Sequence, residues 1–483
     1  MKEIISFMFE TFLTLKMLLV LFLCILTILT IVVPAMLVLL RLKYCIYKAK
    51  ANPKKLKVAF FHPYCNALGG GEKVLWVAIQ TLQKRYPTAE ISVFTGDVEA
   101  TPSEILQRVA SNLNVKVDPK VKIVYLHKRS GLEAARYPIL TLLGQALGSI
   151  CLAFEALGQL NPDIFIDTTG FSFTLLVFKV IAGCKTASYV HYPTITTDMI
   201  EKVSSRRSMY NNRSYIAKSP FLTYGKLVYY RMFAAAYSFA GQFCDLTMVN
   251  STFTMEHLTV LWNKPMHLIY PPCDVSHLVK LPKDEAKKAN IRILSLSQFR
   301  PEKDHPLQLQ ALYELRELIP DQLFANVTLV MCGGCRNEDD KKLVKDLVDL
   351  SKHLSLENNV EFKVNISYQD LLKELEYAQI GIHTMIDEHF GISVVEQLAA
   401  GLMTVAHRSG GPLLDIIETS EGSRLGFLAV TPLEYAHTLK TILEMEEVAI
   451  MGIRERARAS VDRFSTKKFE AEILRAVEPL FQY

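Results

Sequence analysis

The stretch IDEHFGISVVEQLAAGLMTVAHRSGGP (386–412) holds two glutamates with seven residues between them, Glu388 before an FG turn and Glu396 within an apolar repeat. Ile392, Val395, Leu398 and Ala399 recur at helical spacing, so Glu396 rides on a helix that starts near Phe390 and Gly391. A carboxylate on that helix can accept from both vicinal hydroxyls of a ribose, while one in the preceding loop can reach a sugar ring. The unpaired N–H groups at Phe390 and Gly391 would meet phosphate or sugar oxygens. Upstream, QFRPEKDH places Arg300 and Lys303 just past an apolar run. Two fixed cations there would neutralise a departing diphosphate without a metal ion. No D-x-D carboxylate pair stands at a strand end to hold such an ion. A third element is CNALGGGEKVLW, in which Gly69, Gly70 and Gly71 directly precede a helical pattern. Glycines let the backbone approach an anion closely, and the helix start attracts it. The G-x-G-x-x-G pattern of dinucleotide-binding enzymes is not completed, which disfavours a dehydrogenase.

These residues need a scaffold that brings strand ends together. Short apolar runs suited to buried parallel strands recur at KVAFFHPY (57–64), ISVFTG (91–96), KIVYL (122–126), DIFIDTTG (163–170), TASYVHYP (186–193) and DLTMVNS (245–251). The charged segment LVKLPKDEAKKAN (278–290) reads as a linker. A second series follows at IRILSLSQF (291–299), VTLVMCGG (327–334), VEFKVN (360–365), IGIHTM (380–385) and MTVAHRS (403–409). The expected fold is α/β, with two tandem Rossmann-like domains facing a central cleft. The expected divisions are an anchor over 1–50, a first domain over 51–280, a second over 281–460, and a C-terminal helix over 461–483 that returns to the first domain.

A chain of 483 residues fits two domains and an appendage. Its charge is uneven. Residues 1–57 carry nine Lys/Arg against Glu3 and Glu10, or +7. Subtracting these from totals of 54 and 49 leaves 45 basic and 47 acidic residues, a net of −2. A body without a basic surface is no general nucleic-acid binder. From Met17 to Leu40 run 24 uncharged, mainly aliphatic residues. As a helix they would reach roughly 36 Å against a hydrocarbon core of about 30 Å. Two Lys precede this run and seven Lys/Arg follow it, which predicts a single-pass N-terminal transmembrane helix with the body in the cytosol. Nine scattered cysteines suit a reducing compartment, and Cys332 and Cys335 lack a second pair for a zinc site. Hydrophobic stretches near 138–160, 171–184 and 221–243 contain Glu155, Lys179, Lys226 and Arg231, and read as buried or membrane-grazing. The basic, aromatic segment 202–231 suits a headgroup layer and a lipid-borne diphosphate.

Taken together, the Glu388/Glu396 pair, RPEK, the glycine turn and SGGP resemble the family 4 retaining glycosyltransferases of the two-domain B-type fold. FFHPYCNALGGGEKVLW, YVHYPTITTDM, MVNSTFT, YPPCDV, GGCRNEDD and AHRSGGPLLDI are similar, more narrowly, to the endoplasmic-reticulum GDP-mannose-dependent α-1,2-mannosyltransferases of dolichol-linked oligosaccharide synthesis. The likeness runs from about residue 57 to the C-terminus. It implies a GDP-mannose donor, no required cofactor or metal, and a dolichyl-diphosphate trimannosyl-chitobiose acceptor that gains its fourth and fifth mannoses. It further implies an endoplasmic-reticulum membrane location, with other mannosyltransferases of the pathway as candidate partners. In roles, it implies that Arg300 and Lys303 hold the donor diphosphate, Glu396 the ribose and Glu388 the transferred mannose. His191, at the end of TASYVHYP, matches a histidine that contacts the donor sugar. Two readings compete: a transferase for an earlier mannose or another lipid-linked acceptor, and a non-catalytic nucleotide-sugar-binding scaffold. Loss of Glu388, Lys303 or Glu396 would mark the scaffold, and all three are present.

Overall fold

The computed structural model describes residues 33–50, 55–204, 220–282, 290–418 and 424–482, with positions 16, 17, 20, 30 and 32. The expected spanning helix over about 17–40 lies mostly outside these residues, as do 205–219 of the basic segment and 283–289 of the linker. Helix α1 (Val33–Lys50) leads into β1 (Lys57–Phe61), α2 (Gly70–Arg85), β2 (Glu90–Thr95), α3 (Pro102–Asn112), β3 (Lys122–Tyr125), α4 (Thr141–Gln159), β4 (Ile164–Asp167) and β5 (Lys185–Val190). Then come α5 (Pro220–Gly241), β6 (Leu246–Val249), α6 (Thr252–Trp262) and β7 (His267–Leu268). Every pairing is parallel, in the order β3-β2-β1-β4-β5-β6-β7.

A second parallel sheet follows: β8 (Ile291–Leu296), α7 (His305–Leu318), β9 (Val327–Gly333), α8 (Glu338–His353), β10 (Val360–Val364), α9 (Tyr368–Tyr377), β11 (Ile380–His383), α10 (Ile392–Ala399), β12 (Met403–His407) and β13 (Phe427–Ala429). Its order is β10-β9-β8-β11-β12-β13. Both sheets are doubly wound, as the two series of apolar runs predict. The direction of winding reverses between β1 and β4 and again between β8 and β11, and such reversals open crevices at the carboxyl ends of the strands. The glycine turn follows β1, RPEK follows β8 and the Glu388 loop follows β11, so each chemically loaded segment leaves a reversal point.

Continuous apolar runs form the strands because both faces are covered. In the first sheet Val58 and Phe60 join one core layer with Trp76 and Tyr189, while Ala59 and Phe61 join another with Phe94, Phe165 and Phe178. After α11 (Pro432–Glu444) and α12 (Glu447–Ser460), the last helix α13 (Thr466–Phe481) buries Phe469, Ile473, Val477 and Leu480 in the core layer of β1. Phe481 stacks on Tyr86 at 3.8 Å.

The three hydrophobic stretches divide in fate. Within Phe173–Leu176 and Val177–Ile181, Leu175, Phe178 and Ile181 are core residues. Helices α4 and α5 bury one face each and leave apolar stripes exposed. Only α4 is both long and apolar enough to cross a membrane among the described residues.

Candidate active site

The carboxyl ends of the two sheets enclose a cleft of about 1420 Å³. All ten residues singled out for chemistry line it: Gly69, Gly70, Gly71, His191, Arg300, Lys303, Glu388, Phe390, Gly391 and Glu396.

On the second domain's wall, β8 and β11 are neighbours, and so the loops that leave them meet. Lys303 Nζ lies 2.5 Å from Glu388 Oε2, and His383 Nε2, from the end of β11, lies 3.1 Å from the same oxygen. Burial alone would raise the Glu388 pKa, but the Lys303 charge and the His383 ring outweigh it and hold the carboxyl well below the usual range. Glu388 is therefore an anion at neutral pH. Arg300 approaches Glu302 at 3.6 Å, and its buried Nε has no partner among the described residues. The Phe390 side chain belongs to the core, stacked on Tyr270 at 5.6 Å and against Phe464 at 5.3 Å. Only its backbone is available to a ligand. Gly391 is the N-cap of α10 at φ +108°, a conformation L side chains rarely adopt. Burial raises the Glu396 pKa, with Lys73 lowering it and Asp274 raising it.

On the opposite wall, the glycine turn is drawn close by its neighbours. A Cβ at Gly70 would stand 2.9 Å from Ile392 Cδ1 of the second domain, and one at Gly71 would stand 3.4 Å from His191 Nε2. The turn is pinned by Glu72, which accepts from Gly69 N at 2.6 Å and contacts His62 Nε2 at 3.1 Å. His62 Nδ1 lies 2.8 Å from Thr168 Oγ1, so β1, α2 and the loop after β4 are tied together. Burial pushes the His191 pKa down to about 4, so its ring is neutral, and its Nε2 is buried without a partner among the described residues. An orphaned nitrogen beside an open turn is a site for a ligand hydroxyl.

Further contacts cross between the domains. Tyr192 stacks on His389 at 3.8 Å with planes 12° apart. Asp415 of the second domain, nearly inaccessible, accepts from Thr252 N at 3.0 Å, Thr252 Oγ1 at 2.5 Å and Tyr270 Oη at 3.0 Å, capping α6 of the first domain.

The sequence reading missed Glu72, His62, His383, Tyr192 and Asp415. Glu72 had a usable signal, since a glutamate three residues after an N-cap is the capping-box spacing. The others are set by strand neighbours and domain apposition, which no local pattern encodes.

Comparison with known proteins bears on most of the chain. Residues 55–262 match the family described as "ALG11 mannosyltransferase N-terminus", and residues 280–459 match "Glycosyl transferases group 1". The human protein named GDP-Man:Man(3)GlcNAc(2)-PP-Dol alpha-1,2-mannosyltransferase is 46% identical over 449 residues, covering 92% of this chain and 91% of its own. The Caenorhabditis elegans protein of that name is 41% identical over 433 residues, covering 88% and 91%. Among solved structures, Anabaena HepE in complex with UDP and glucose superposes with a TM-score of 0.60 at 18% identity, covering 88% of this chain and 99% of that one. WaaG, a glycosyltransferase involved in lipopolysaccharide biosynthesis, gives 0.60 at 14% identity over 88% and 100%. Identities that low speak to the fold alone.

Proposed function

The chain belongs to the family of GDP-Man:Man(3)GlcNAc(2)-PP-Dol alpha-1,2-mannosyltransferases, and on that premise we propose that it transfers mannose from GDP-mannose to a dolichyl-diphosphate-linked trimannosyl-chitobiose, adding the fourth and fifth mannoses with retained α-configuration. The observation that carries this reading is the meeting of Lys303, Glu388 and His383 at the ends of β8 and β11, across from the glycine turn and the orphaned His191 nitrogen.

In this reading Arg300 and Lys303 take the donor diphosphate, and Glu396 takes the ribose hydroxyls. Donor binding draws Lys303 toward phosphate and leaves the Glu388 carboxylate to the mannose. His191, held neutral by burial, donates to or accepts from a sugar hydroxyl. Retention requires the acceptor hydroxyl to arrive on the face the diphosphate leaves, and the departing phosphate oxygen takes the proton. The protein's part is electrostatic: cations and helix-start N–H groups stabilise the leaving group in a cleft that excludes water. No group of three or more His, Cys, Asp or Glu suited to a metal is gathered among the described residues.

The acceptor is lipid-borne, and the proposal includes an endoplasmic-reticulum membrane location, with the apolar run at 17–40 as anchor and the two domains in the cytosol. Support comes from the charge asymmetry around that run and from the apolar faces of α4 and α5.

The test is a mass-resolved assay of purified protein with GDP-mannose and lipid acceptors carrying two, three or four mannoses. Extension of the three- and four-mannose acceptors is expected. Transfer confined to the two-mannose acceptor would assign the chain to an earlier step, and binding without transfer would favour a scaffold.

A further inference from the structure

The cleft extends beyond the residues so far given roles. From the loops after β8 and β11 it runs over the ends of β9 and β10, where Gly333, Gly334, Arg336 and Leu371 line it. At that end three side chains form a chain of contacts that the proposed chemistry does not use. Asp274 Oδ1 lies 3.4 Å from His277 Nδ1, and His277 Nε2 hydrogen-bonds the Tyr368 hydroxyl. Ser276 Oγ also donates to Asp274 Oδ1, at 3.3 Å. Among the described residues both contacts to the carboxylate fall on Oδ1, so Oδ2 keeps its accepting capacity. The three residues come from two parts of the chain, Asp274 and His277 from the segment before the linker and Tyr368 from the start of α9. All three line the cleft. They stand beside Glu396, whose pKa the Asp274 charge helps to raise and whose own charge helps to raise that of Tyr368.

A nucleoside diphosphate sugar with its diphosphate at Arg300 and Lys303 and its ribose at Glu396 has its base still to place, and the cleft continues toward this group. Guanine offers adjacent N1–H and N2 amino donors on one edge and O6 and N7 acceptors on another. A carboxylate is matched to the first edge, and an exposed guanidinium such as that of Arg336 to the second. Adenine lacks both donors of the first edge, and hypoxanthine lacks the amino group alone.

We infer that Asp274, held in place by His277 and Tyr368, is the specificity-determining residue that reads the guanine N1–H and N2 amino group of the donor, with the Tyr368 ring and Leu371 as the apolar wall of that subsite. The inference rests on the GDP-mannose reading above. A polar pocket built around donors discriminates strongly against a ligand that lacks one, because its acceptor is then left unpaired.

The experiment measures inhibition of the full-length enzyme by GDP, IDP, ADP and UDP, and direct binding of GDP and IDP by calorimetry. The wild type is expected to favour GDP over IDP by about 10-fold or more, in line with loss of one hydrogen bond to a charged group. Asp274→Asn and Asp274→Ala should bring that ratio close to one and raise KM for GDP-mannose. A wild-type ratio near one overturns the inference without recourse to any variant. A strong wild-type ratio that both variants keep overturns it as well, while leaving the GDP-mannose reading intact. A wild type indifferent among GDP, UDP and ADP overturns both.

Discussion

Lys303 and Glu388 form one unit, with the Lys303 charge holding the Glu388 carboxylate ionised at 2.5 Å. A substitution at either residue therefore changes the partner too. Replacing Arg300 or Lys303 by Ala should lower turnover by about 10²–10³-fold, as loss of one transition-state donor does. Near-normal turnover by both variants would exclude them from diphosphate stabilisation. The pair also carries a pH signature. Because the Glu388 pKa is depressed in the fold, its ion-pair contribution is present above the ordinary carboxylate range and is lost only as pH falls through the depressed value. Lys303→Met removes the largest lowering influence and leaves burial, which raises. The acid limb of kcat/KM should then move to higher pH, and an unmoved limb would show that Glu388 does not govern it. At this scale the sequence was informative about identity and silent about partnership. Glu388, Lys303 and Arg300 stand out because each follows an apolar run, whereas the contact between them depends on β8 and β11 being neighbours. At Phe390 the sequence offers a ligand the backbone N–H, and the side chain packs in the core.

Helix α6 begins with its own cap, Ser251 Oγ accepting from Thr254 N at 3.1 Å, and then receives a second from the other domain. Asp415 meets the Thr252 N–H and hydroxyl while also accepting from Tyr270, and Thr254 Oγ1 donates to His191 O at 3.2 Å. One carboxylate thus ties the second domain to the element that supports His191. Asp415→Ala leaves buried donors unpaired and should cost on the order of 2–4 kcal/mol. It should reduce turnover along with unfolding temperature, and Asp415→Asn should restore part of both. Full activity in Asp415→Ala would mean that closure does not depend on this contact. Elements were well marked in the sequence where they are long. Eleven of the strands coincide with apolar runs, but β7 and β13 span two and three residues and carry no periodicity to detect. Their place in the sheets is set by backbone pairing with β6 and β12.

At the scale of the molecule, apolar surface is concentrated on one side of the first domain. Leu140, Leu143, Leu147, Cys151 and Phe154 are exposed at three- and four-residue intervals along α4. Tyr224, Val228, Met232 and Phe239 repeat the pattern along α5, and the Leu143 N–H donates to Tyr229 Oη at 3.0 Å, so the two helices lie side by side. Near them, α1 packs Leu37, Leu40 and Tyr44 on the same core layer, with Arg41 bonded to Val180 O at 3.0 Å. The end of the apolar run that α1 contains, residues 33–40, thus meets the fold on this side. Hydropathy alone could not separate a spanning helix from a half-buried one, because α4 has the composition of the first and the packing of the second. A stripe of this kind fits the interfacial layer of a bilayer better than water. If so, a chain beginning at residue 55 should still float with liposomes. Leu143→Glu with Leu147→Glu, or Met232→Glu with Phe239→Glu, should reduce that flotation several-fold, since each buried apolar side chain contributes about 1.5–3 kcal/mol. In detergent with a short-chain acceptor those variants should keep their turnover, because none of the four residues lines the cleft. Undiminished flotation would mean that the stripes face something other than lipid and that the apolar run at 17–40 alone holds the enzyme to its substrate's membrane.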